Sequence, residues 1–371
     1  MVSGCDDGAI RSWPIPVMGN TIGSRYDASL QGIMTSHDTV AAFSVDNTVL
    51  IKRPEDSDWV LLQHPSPVSS TVWHPTKRVL ATASWDGKVR LWHLEGKHVP
   101  EAKIVAQYDG YALGSSWDTK GEWLASSGVD GTILLTSVSD GRRVARRPHQ
   151  GRVDEIVFST QTGTFVSAGR DGSLCSLHAN DHSSRCVRAS DSQQLMTLVS
   201  VGSHGVVAAG KQGRIFLWNG RDERVSVLGD LPGAFRFLRV SADSQLIAAS
   251  DDQGNLALYD LERGSTSTSQ PCDGDIWNIA VSANGTFAAA ACKSGEVAIW
   301  NYDTNQQWMV RIPRGRANAV EFSLDEKHLR AATLDGVVRD YAIDKIEYVP
   351  RTPTQLRAWI RRHIDDRNGR R

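Results

Sequence analysis

The alternation of apolar and polar positions along the chain predicts short β-strands joined by tight turns. The clearest case runs from Val79 to Leu94, where a strand of small and apolar residues is followed by Asp86-Gly87 and by a second strand that ends at Trp92. Asp-Gly between two such runs is a strong hairpin signal, because glycine readily adopts the positive φ that the turn needs. We therefore predict a two-stranded hairpin in this stretch.

The same hairpin recurs along the whole chain. Turn glycines occur at Gly8, Gly87, Gly131, Gly172, Gly213, Gly254, Gly295 and Gly336, and Asn47 occupies the equivalent position between the first two. From Gly131 onward the spacing is 41 residues, and the earlier spacings are 39, 40 and 44. Five residues after the turn glycine, most copies carry Trp or Tyr. Repeats of this length, with four strands per unit, are typical of the blades of a β-propeller.

Each repeat can be divided into four strands. In the unit around Gly172 the pattern predicts strands over Val153–Phe158, Phe165–Gly169, Ser173–Leu177 and Arg185–Arg188. The inner strands are rich in small residues and the outer strands carry charge, which suits a radial sheet with a narrow inner edge. One such sheet cannot bury both of its faces, so neighbouring blades must stack. The predicted fold class is therefore all-β, a propeller of four-stranded antiparallel blades.

These hairpins resemble the WD40 repeat family. The segment Ala81–Trp92 (ATASWDGKVRLW) is close to the family signature, Val166–Leu177 and Ala208–Trp218 are looser versions, and the resemblance extends over about Met1 to Val349. It implies a buried hydrogen-bonded set of a His, a Ser or Thr, the turn Asp and the strand-end Trp. The matching residues are His64, Ser84, Asp86 and Trp92, with a partial set at His149, Ser167 and Asp171. Structural roles also follow from the repeated positions for Asp130, Asp171, Trp218, Trp300 and Asp335.

Two ring sizes are consistent with the repeats. In the favoured arrangement, residues 54–350 form a propeller of seven regular blades, and residues 1–53 hold a partial and a degenerate repeat. The alternative is a single ring of eight or nine blades. The chain begins in the middle of a repeat, so we expect a truncated chain whose partial first blade exposes an unpaired strand edge.

The carboxyl-terminal segment 351–371 has a different pattern. Thr-Pro is a helix start signal, and Leu356, Trp359, Ile360 and Ile364 then fall on one helical face opposite several arginines. We predict a short basic amphipathic helix that docks under the last blade, and the alternative is a helix for a partner or a membrane surface. The segment also resembles the closing segment of bacterial WD40 arrays that follow signalling domains.

Composition restricts the function classes. The formal charge is −1, which does not favour nucleic acid, and no apolar run is long enough for a membrane-spanning helix. The five cysteines show no CxxC spacing, and Cys175 and Cys292 fall in predicted strands as small buried hydrophobes. These features predict a protein of the reducing cytoplasm.

No motif for catalysis or cofactor binding stands out. The sequence holds no GxxxxGK[ST] motif, and the aspartates of the repeated turns are explained by turn formation. The sequence also shows no cluster of Glu, Asp and His residues that departs from the repeat and would face the central channel. We therefore expect no enzyme, no cofactor and no metal site. The alternative is a propeller enzyme with a metal-dependent hydrolase site in its channel.

The residues that vary between repeats predict a partner surface. Two positions per repeat, before the turn and at the start of the first strand, should lie on one rim of the propeller. They and their neighbours supply Trp85, Arg152, Asp154, Arg170, Lys211, Arg236, Asp252, Asp275, Trp277, Lys293, Arg316 and Asn318. Aromatic residues and arginines commonly anchor interfaces, and clustered cations favour an acidic partner. The predicted function is a scaffold or sensor module for a protein or peptide partner, within a bacterial multidomain signalling protein.

Overall fold

The structure is a computed structural model, and it describes residues 2–4, 10–12, 20–36, 38–96, 100–181, 183–190, 194–311 and 316–343. These residues form β-strands and one 3-10 turn, Gly202–His204. Within them no helix is long and apolar enough to cross a membrane. The turn predicted at Gly8, the aromatic position Trp13 and the helix predicted within residues 351–371 lie outside the described residues.

Eight four-stranded antiparallel sheets form the blades of a propeller, numbered here in chain order. Blade 1 contains β4 (Leu30–Ser36), β5 (Thr39–Ser44), β6 (Thr48–Lys52) and β7 (Val60–Gln63). Blade 2 contains β8 (Val68–Trp73), β9 (Val79–Ser84), β10 (Lys88–His93) and β11 (Ala102–Gln107). Blade 3 contains β12 (Ala112–Trp117), β13 (Trp123–Gly128), β14 (Ile133–Ser137) and β15 (Arg143–Arg146). Blade 4 contains β16 (Val153–Ser159), β17 (Thr164–Gly169), β18 (Ser173–Leu177) and β19 (Ser184–Arg188).

The second half of the ring repeats this pattern. Blade 5 contains β20 (Leu195–Ser200), β21 (Val206–Gly210), β22 (Arg214–Asn219) and β23 (Arg224–Asp230). Blade 6 contains β24 (Phe235–Val240), β25 (Leu246–Asp251), β26 (Leu256–Asp260) and β27 (Ser265–Ser269). Blade 7 contains β28 (Ile276–Val281), β29 (Phe287–Cys292), β30 (Glu296–Asn301) and β31 (Gln306–Arg311). Blade 8 contains β32 (Ala317–Phe322), β33 (His328–Thr333), β34 (Val338–Ala342) and, as its outer strand, β3 (Asn20–Ile22).

The ring has eight blades, so the larger of the two predicted rings is the one that forms. The degenerate repeat near the amino terminus is a complete blade, and the boundary predicted at Arg53 falls between two strands of that blade. The seven-bladed arrangement favoured from the sequence is therefore not formed. Strand β3 closes the ring, because Asn20–Ile22 pair with Val338–Asp340 of the last blade. Among the described strands, β1 (Val2–Gly4) and β2 (Ile10–Ser12) pair only with each other.

The hydrophobic core is divided among the junctions between blades. One cluster of buried apolar side chains lies at each of the eight junctions, including the junction of blade 8 with blade 1. In that closing cluster Leu30 and Ala42 of blade 1 pack with Ala319, Ala332 and Val338 of blade 8. Each second strand is covered on both faces, which explains its runs of small residues instead of a polar alternation.

The repeated turns have the backbone geometry that the sequence predicts. Gly87, Gly172 and Gly336 have φ of 79°, 83° and 77°, and Asn47 has φ of 70° at the equivalent position of blade 1. Asparagine tolerates this left-handed region better than most residues, so it can replace glycine there. The shortened first hairpin is also present, with Ser36 paired to Thr39 across a turn in which Asp38 has φ of 63°.

The cysteines differ from the expectation. Cys175 and Cys292 are buried, but they form disulfides with Cys186 and Cys272 respectively. Cys175 and Cys186 lie directly opposite each other on β18 and β19, an across-strand contact that spacing along the chain does not reveal. The expectation of free thiols in a reducing compartment therefore loses its basis.

Candidate functional site

A β-bulge at the start of the first strand of every blade forms one rim of the propeller. In blade 4 the pairing with β17 shifts between Val153 and Glu155, and the extra residue is Asp154. An extra residue of this kind bends the strand locally and redirects a side chain. The equivalent extra residues include Gln31, Ser69, Leu113, Arg236, Trp277 and Asn318. In blade 5 the extra residue is Met196, and the preceding residue, Leu195, is fully buried.

A charged cluster lies on the blade 4 side of this rim. The Asp154 carboxylate accepts hydrogen bonds from Arg152 and from Arg170, whose Nε lies 2.8 Å from Asp154 Oδ2. Two blades further along the ring, Arg236 of blade 6 donates two hydrogen bonds to the carboxylate of Asp275, at 3.0 and 3.2 Å. The guanidinium groups of all three arginines remain partly exposed.

An aromatic pair lies next to the charged cluster. The rings of Trp85 and Tyr111 stack at 5.0 Å with 20° between their planes. Although stacked, they remain 43% and 44% exposed, which is unusual for two neighbouring large rings. Beside Trp85 lies a cavity of about 560 Å³ whose walls include Phe43, Pro67, Trp85, Leu113, Arg152 and Asp154. An apolar wall and a charged wall therefore meet in one concave part of the rim.

The other predicted rim residues are spread more widely. Lys211, Lys293 and Arg316 are exposed, and Trp277 is half-buried. Two further residues form bonds within the fold: Asp252 accepts the backbone N–H of Ala234 at 2.9 Å, and the Asn318 amide donates to the carbonyl of Leu30 at 2.6 Å. Asn318 thus connects blade 8 to blade 1. The structure brings Trp85, Arg152, Asp154 and Arg170 together and leaves the rest of the set around the ring.

The buried set of blade 2 uses a different hydroxyl from the one assigned in the sequence. His64 Nε2 lies 2.9 Å from Thr82 Oγ1, and the indole N–H of Trp92 donates to the same oxygen at 3.0 Å. Ser84 lies two residues further along the strand and donates to the carbonyl of Ser66 instead. Burial and the positive charge of Arg90 lower the pKa of His64 to about 4, so the ring is neutral at pH 7.

The turn aspartate of this blade takes part in a separate interaction. Asp86 pairs with Arg90 through both carboxylate oxygens and accepts the backbone N–H of Lys88 at 3.0 Å. Burial alone would raise the pKa of Asp86, but these hydrogen bonds outweigh it and hold the pKa below its usual value. The carboxylate is therefore a fixed anion of the turn, bonded to Arg90 and Lys88.

Blade 4 contains a Ser-His-Asp arrangement that geometry alone could mistake for a catalytic triad. His149 Nε2 lies 2.8 Å from Ser167 Oγ, and Nδ1 lies 3.2 Å from Asp171 Oδ1. The His149 side chain is 0% exposed, and burial lowers its pKa more than Asp171 raises it. No substrate can reach a ring enclosed in this way. The set links the loop before blade 4 to its second strand, a structural role.

The remaining turn and strand-end residues contact their own blades. Asp130 accepts bonds from the N–H and hydroxyl of Thr132 at 3.0 and 2.7 Å, and Asp335 contacts Thr333 and Arg339. Trp300 is buried and donates its indole N–H to Asn305 at 3.0 Å. Trp218 is also buried, and its indole nitrogen has no hydrogen-bond partner among the described residues.

Charged side chains in the axial channel are the feature that the sequence analysis missed. Glu155, Arg239 and Glu321 lie on first strands and line a cavity along the axis. Enclosure by the ring raises the pKa of both carboxyls and lowers that of Arg239, an effect that Glu155 partly opposes. Aligning the repeats by their bulges would have identified Glu155, because the matching residues of blades 2, 5 and 7 are Ser70, Thr197 and Asn278.

A resident metal has no evident ligand set in the described part of the chain. No group of three or more His, Cys, Asp or Glu side chains there is arranged to hold a metal ion. The channel carboxylates are separately engaged: Thr35 binds Glu321, and Thr197 binds Glu155.

Comparison with known proteins agrees with the geometry. The family model described as WD domain, G-beta repeat matches residues 57–93 and 265–301. Each match begins near the outer strand of one blade and ends at the third strand of the next, so the sequence repeat joins two structural blades. The chain is a WD40 repeat protein.

Several WD40 relatives match part of the chain. Telomerase protein component 1 of Rattus norvegicus is 30% identical over 29% of this chain and 4% of its own length. The F-box-like/WD repeat-containing protein TBL1X of Homo sapiens is 30% identical over 28% of this chain and 18% of its own. The tRNA (34-2'-O)-methyltransferase regulator WDR6 of Rattus norvegicus is 30% identical over 36% of this chain and 13% of its own length. This WD40 chain therefore aligns with only a small part of each relative.

A solved structure matches nearly the whole WD40 ring. The crystal structure of the computationally designed Ika8 protein superposes with a TM-score of 0.67, covering 90% of this chain and 100% of that one. The sequence identity is 14%, so the likeness concerns the fold alone.

Proposed function

We propose that this WD40 propeller is a non-enzymatic interaction module that binds a protein or peptide partner on its rim. The observation that carries the proposal is the exposed Trp85–Tyr111 stack beside a cavity that Arg152 and Asp154 also line. Interface anchors are commonly Trp, Tyr and Arg side chains at the edge of a pocket. The ring is a stiff frame that already holds its loops in place before binding. Association therefore requires little additional ordering of the protein, which reduces its entropic cost.

The charge of the rim indicates the chemistry of the partner. The predicted rim set contains six cations and three carboxylates, although the whole chain has a charge of −1. An acidic peptide segment with an apolar anchor would satisfy both walls of the cavity. We assign no nucleic-acid partner. The names of the telomerase component and of WDR6 concern those proteins, of which this chain aligns with 4% and 13%.

Selection from a random peptide library tests the rim directly. The protein is used as bait, and enriched peptides are measured against wild type, Trp85→Ala and the double variant Arg170→Glu/Arg236→Glu. We expect enriched peptides with acidic and apolar residues, and about tenfold weaker binding to each variant. Lys103→Glu, an exposed change on the outer strand β11, is the control. Enriched peptides that bind all four proteins equally would reject the rim.

We also propose that the propeller is one part of a bacterial multidomain signalling protein. A bacterial multidomain signalling protein is suggested only by the resemblance of segment 351–371 to the closing segment of bacterial arrays. The relatives named above are mammalian and give this setting no support. Sequencing the genomic DNA on both sides of the coding region tests it: an adjoining signalling domain in the same reading frame supports the setting, and unrelated flanking genes reject it.

The oxidation state of the cysteines bears on the cellular compartment of the protein. The cytoplasmic location predicted from the sequence requires the cysteines to remain as thiols, whereas two disulfides suit an oxidising compartment. Alkylation of the protein in intact cells, followed by mass spectrometry, decides between them. Modification of all 5 cysteines supports the cytoplasm, and protection of the four that pair in the structure rejects it.

A further inference from the structure

The axial channel contains a cavity of the size used for small ligands. Its volume is about 670 Å³, and its walls come from the first strands of several blades. Ligand sites in proteins commonly enclose about 300–1,000 Å³, with mainly apolar walls and a few polar groups. Ile33, Met34 and Val240 supply apolar wall in this channel.

The two carboxylates of the channel are occupied by bonds between neighbouring blades. Glu321 of blade 8 accepts the N–H of Thr35 at 2.6 Å and its hydroxyl at 2.7 Å. Glu155 of blade 4 accepts the hydroxyl of Thr197 in blade 5. Each carboxylate thus joins two adjacent first strands.

The guanidinium group of Arg239 is different, because most of its donors are open. Nη1 donates to the carbonyl of Leu238 at 2.8 Å, and the other N–H groups bind no atom of the described residues. The side chain is exposed to the channel. Asn278 of the next blade lines the same cavity; its Oδ1 accepts the N–H of Val320 at 3.2 Å, which leaves its amide NH₂ as a second donor.

We propose that the channel binds a small organic anion whose carboxylate or phosphate group is held by Arg239 and Asn278. A guanidinium group presents parallel N–H donors that match the two oxygens of such a group. The enclosing ring weakens solvent screening, so a charge-assisted bond is stronger there than on the surface. Ile33, Met34 and Val240 would contact the apolar part of the ligand. This site is separate from the rim and does not depend on the proposed partner surface.

Titration with simple amphiphilic anions tests the proposal. Hexanoate and hexyl phosphate are the probes, and hexan-1-ol and hexylammonium are the uncharged and cationic controls. Binding is followed by saturation-transfer NMR and calorimetry on wild type, Arg239→Met and Arg143→Met, an exposed control on the outer strand β15. We expect saturable binding of at least one anion to wild type and to Arg143→Met, and binding to Arg239→Met that is at least about tenfold weaker.

The outcomes separate the alternatives. Preference for hexanoate or for hexyl phosphate identifies the anionic group. Equal binding to Arg239→Met, equal binding of hexan-1-ol, or no saturable binding up to about 20 mM of either anion overturns the proposal. Arg239→Lys, which keeps the charge but loses the planar donor pair, should bind with intermediate affinity and provides a second test if Arg239→Met does not fold.

Discussion

At the scale of single residues, burial separates the structural side chains of this propeller from the candidate contact residues. Trp92 and Trp85 lie in the same hairpin, yet Trp92 is 5% exposed and Trp85 is 43% exposed. Trp92 also donates its indole N–H to Thr82 in the core. Two identical side chains seven residues apart therefore have opposite expected roles, one in stability and one in binding.

Truncation of the two tryptophans should show this difference. We expect Trp92→Ala to lower the free energy of unfolding by about 3–5 kcal/mol, as other large aromatic truncations in cores do. Trp85→Ala should cost less than about 1 kcal/mol, because most surface substitutions have small effects. Urea denaturation of both variants measures the two values. Equal losses would place both rings in the same environment, contrary to the structure.

His64 should make stability depend on pH. Its pKa is about 4 in the folded protein and 6.5 as the reference for the unfolded chain. The unfolded state therefore binds the proton more tightly, and stability falls as the pH decreases from 6.5 to about 4, by up to about 3 kcal/mol. His64→Gln removes the titrating ring and should reduce this slope. Denaturation at several pH values is the measurement; a slope unchanged in His64→Gln would contradict the assignment.

At the scale of elements, the turns and the first strands carry the contacts that hold neighbouring blades together. The turn of blade 8 meets the segment after β3, where the N–H of Tyr26 donates to the carbonyl of Gly336 at 2.8 Å. On the inner side, Arg330 of blade 8 donates to the Thr35 hydroxyl at 2.8 Å, next to the bonds between Thr35 and Glu321. Closure of the ring thus depends on polar contacts at both edges of the last junction.

Gly336 provides a test of the closing turn. A methyl group on Gly336 would overlap the carbonyl oxygen of Tyr26, and the residue has φ of 77°. Gly141 has φ of 72° but nothing within 4 Å of the same position, so it controls for backbone strain alone. We expect Gly336→Ala to cost about 1–3 kcal/mol more than Gly141→Ala, as overpacking does elsewhere. Equilibrium unfolding compares them, and equal costs would show that the turn does not dock.

At the scale of the whole molecule, the eight blades are alike except for blade 8, which is the joint where the two ends of the ring meet. Seven blades take all four strands from consecutive chain, whereas blade 8 takes its outer strand from residues 20–22. Only three residue pairs connect that strand to β34. A joint with few contacts should open at a lower free energy than a complete blade.

Hydrogen exchange should reveal the joint. We expect the amides of β3 and of β34 to exchange faster than those of β25 and β26 in blade 6, which pair along five residues. Mass spectrometry of peptides after timed exchange measures both regions in one sample. Equal protection in the two regions would mean that the closing strand is held as firmly as the others.

Much of this architecture follows from local sequence. The sequence predicts the period of the hairpins and the turn residues, such as Gly87 and Asn47. It also predicts the ends of the four strands of blade 4 to within one residue. These features are local because each depends on a few adjacent residues: backbone preference at the turn and side-chain size within a strand. The extra residues of the bulges also recur with the repeat, so the bulge positions of Asp154, Arg236 and Trp277 follow from the spacing.

The tertiary structure alone decided the features that join distant parts of the chain. Ring size depends on how blade 1 packs against blade 8, and the pattern within each repeat is the same in a ring of seven or eight. The choice of Thr82 over Ser84, the pairing of Cys272 with Cys292 and the position of Arg239 in the channel likewise depend on contacts between strands or blades. A local pattern specifies each blade, but the angle between blades emerges only when their side chains pack together.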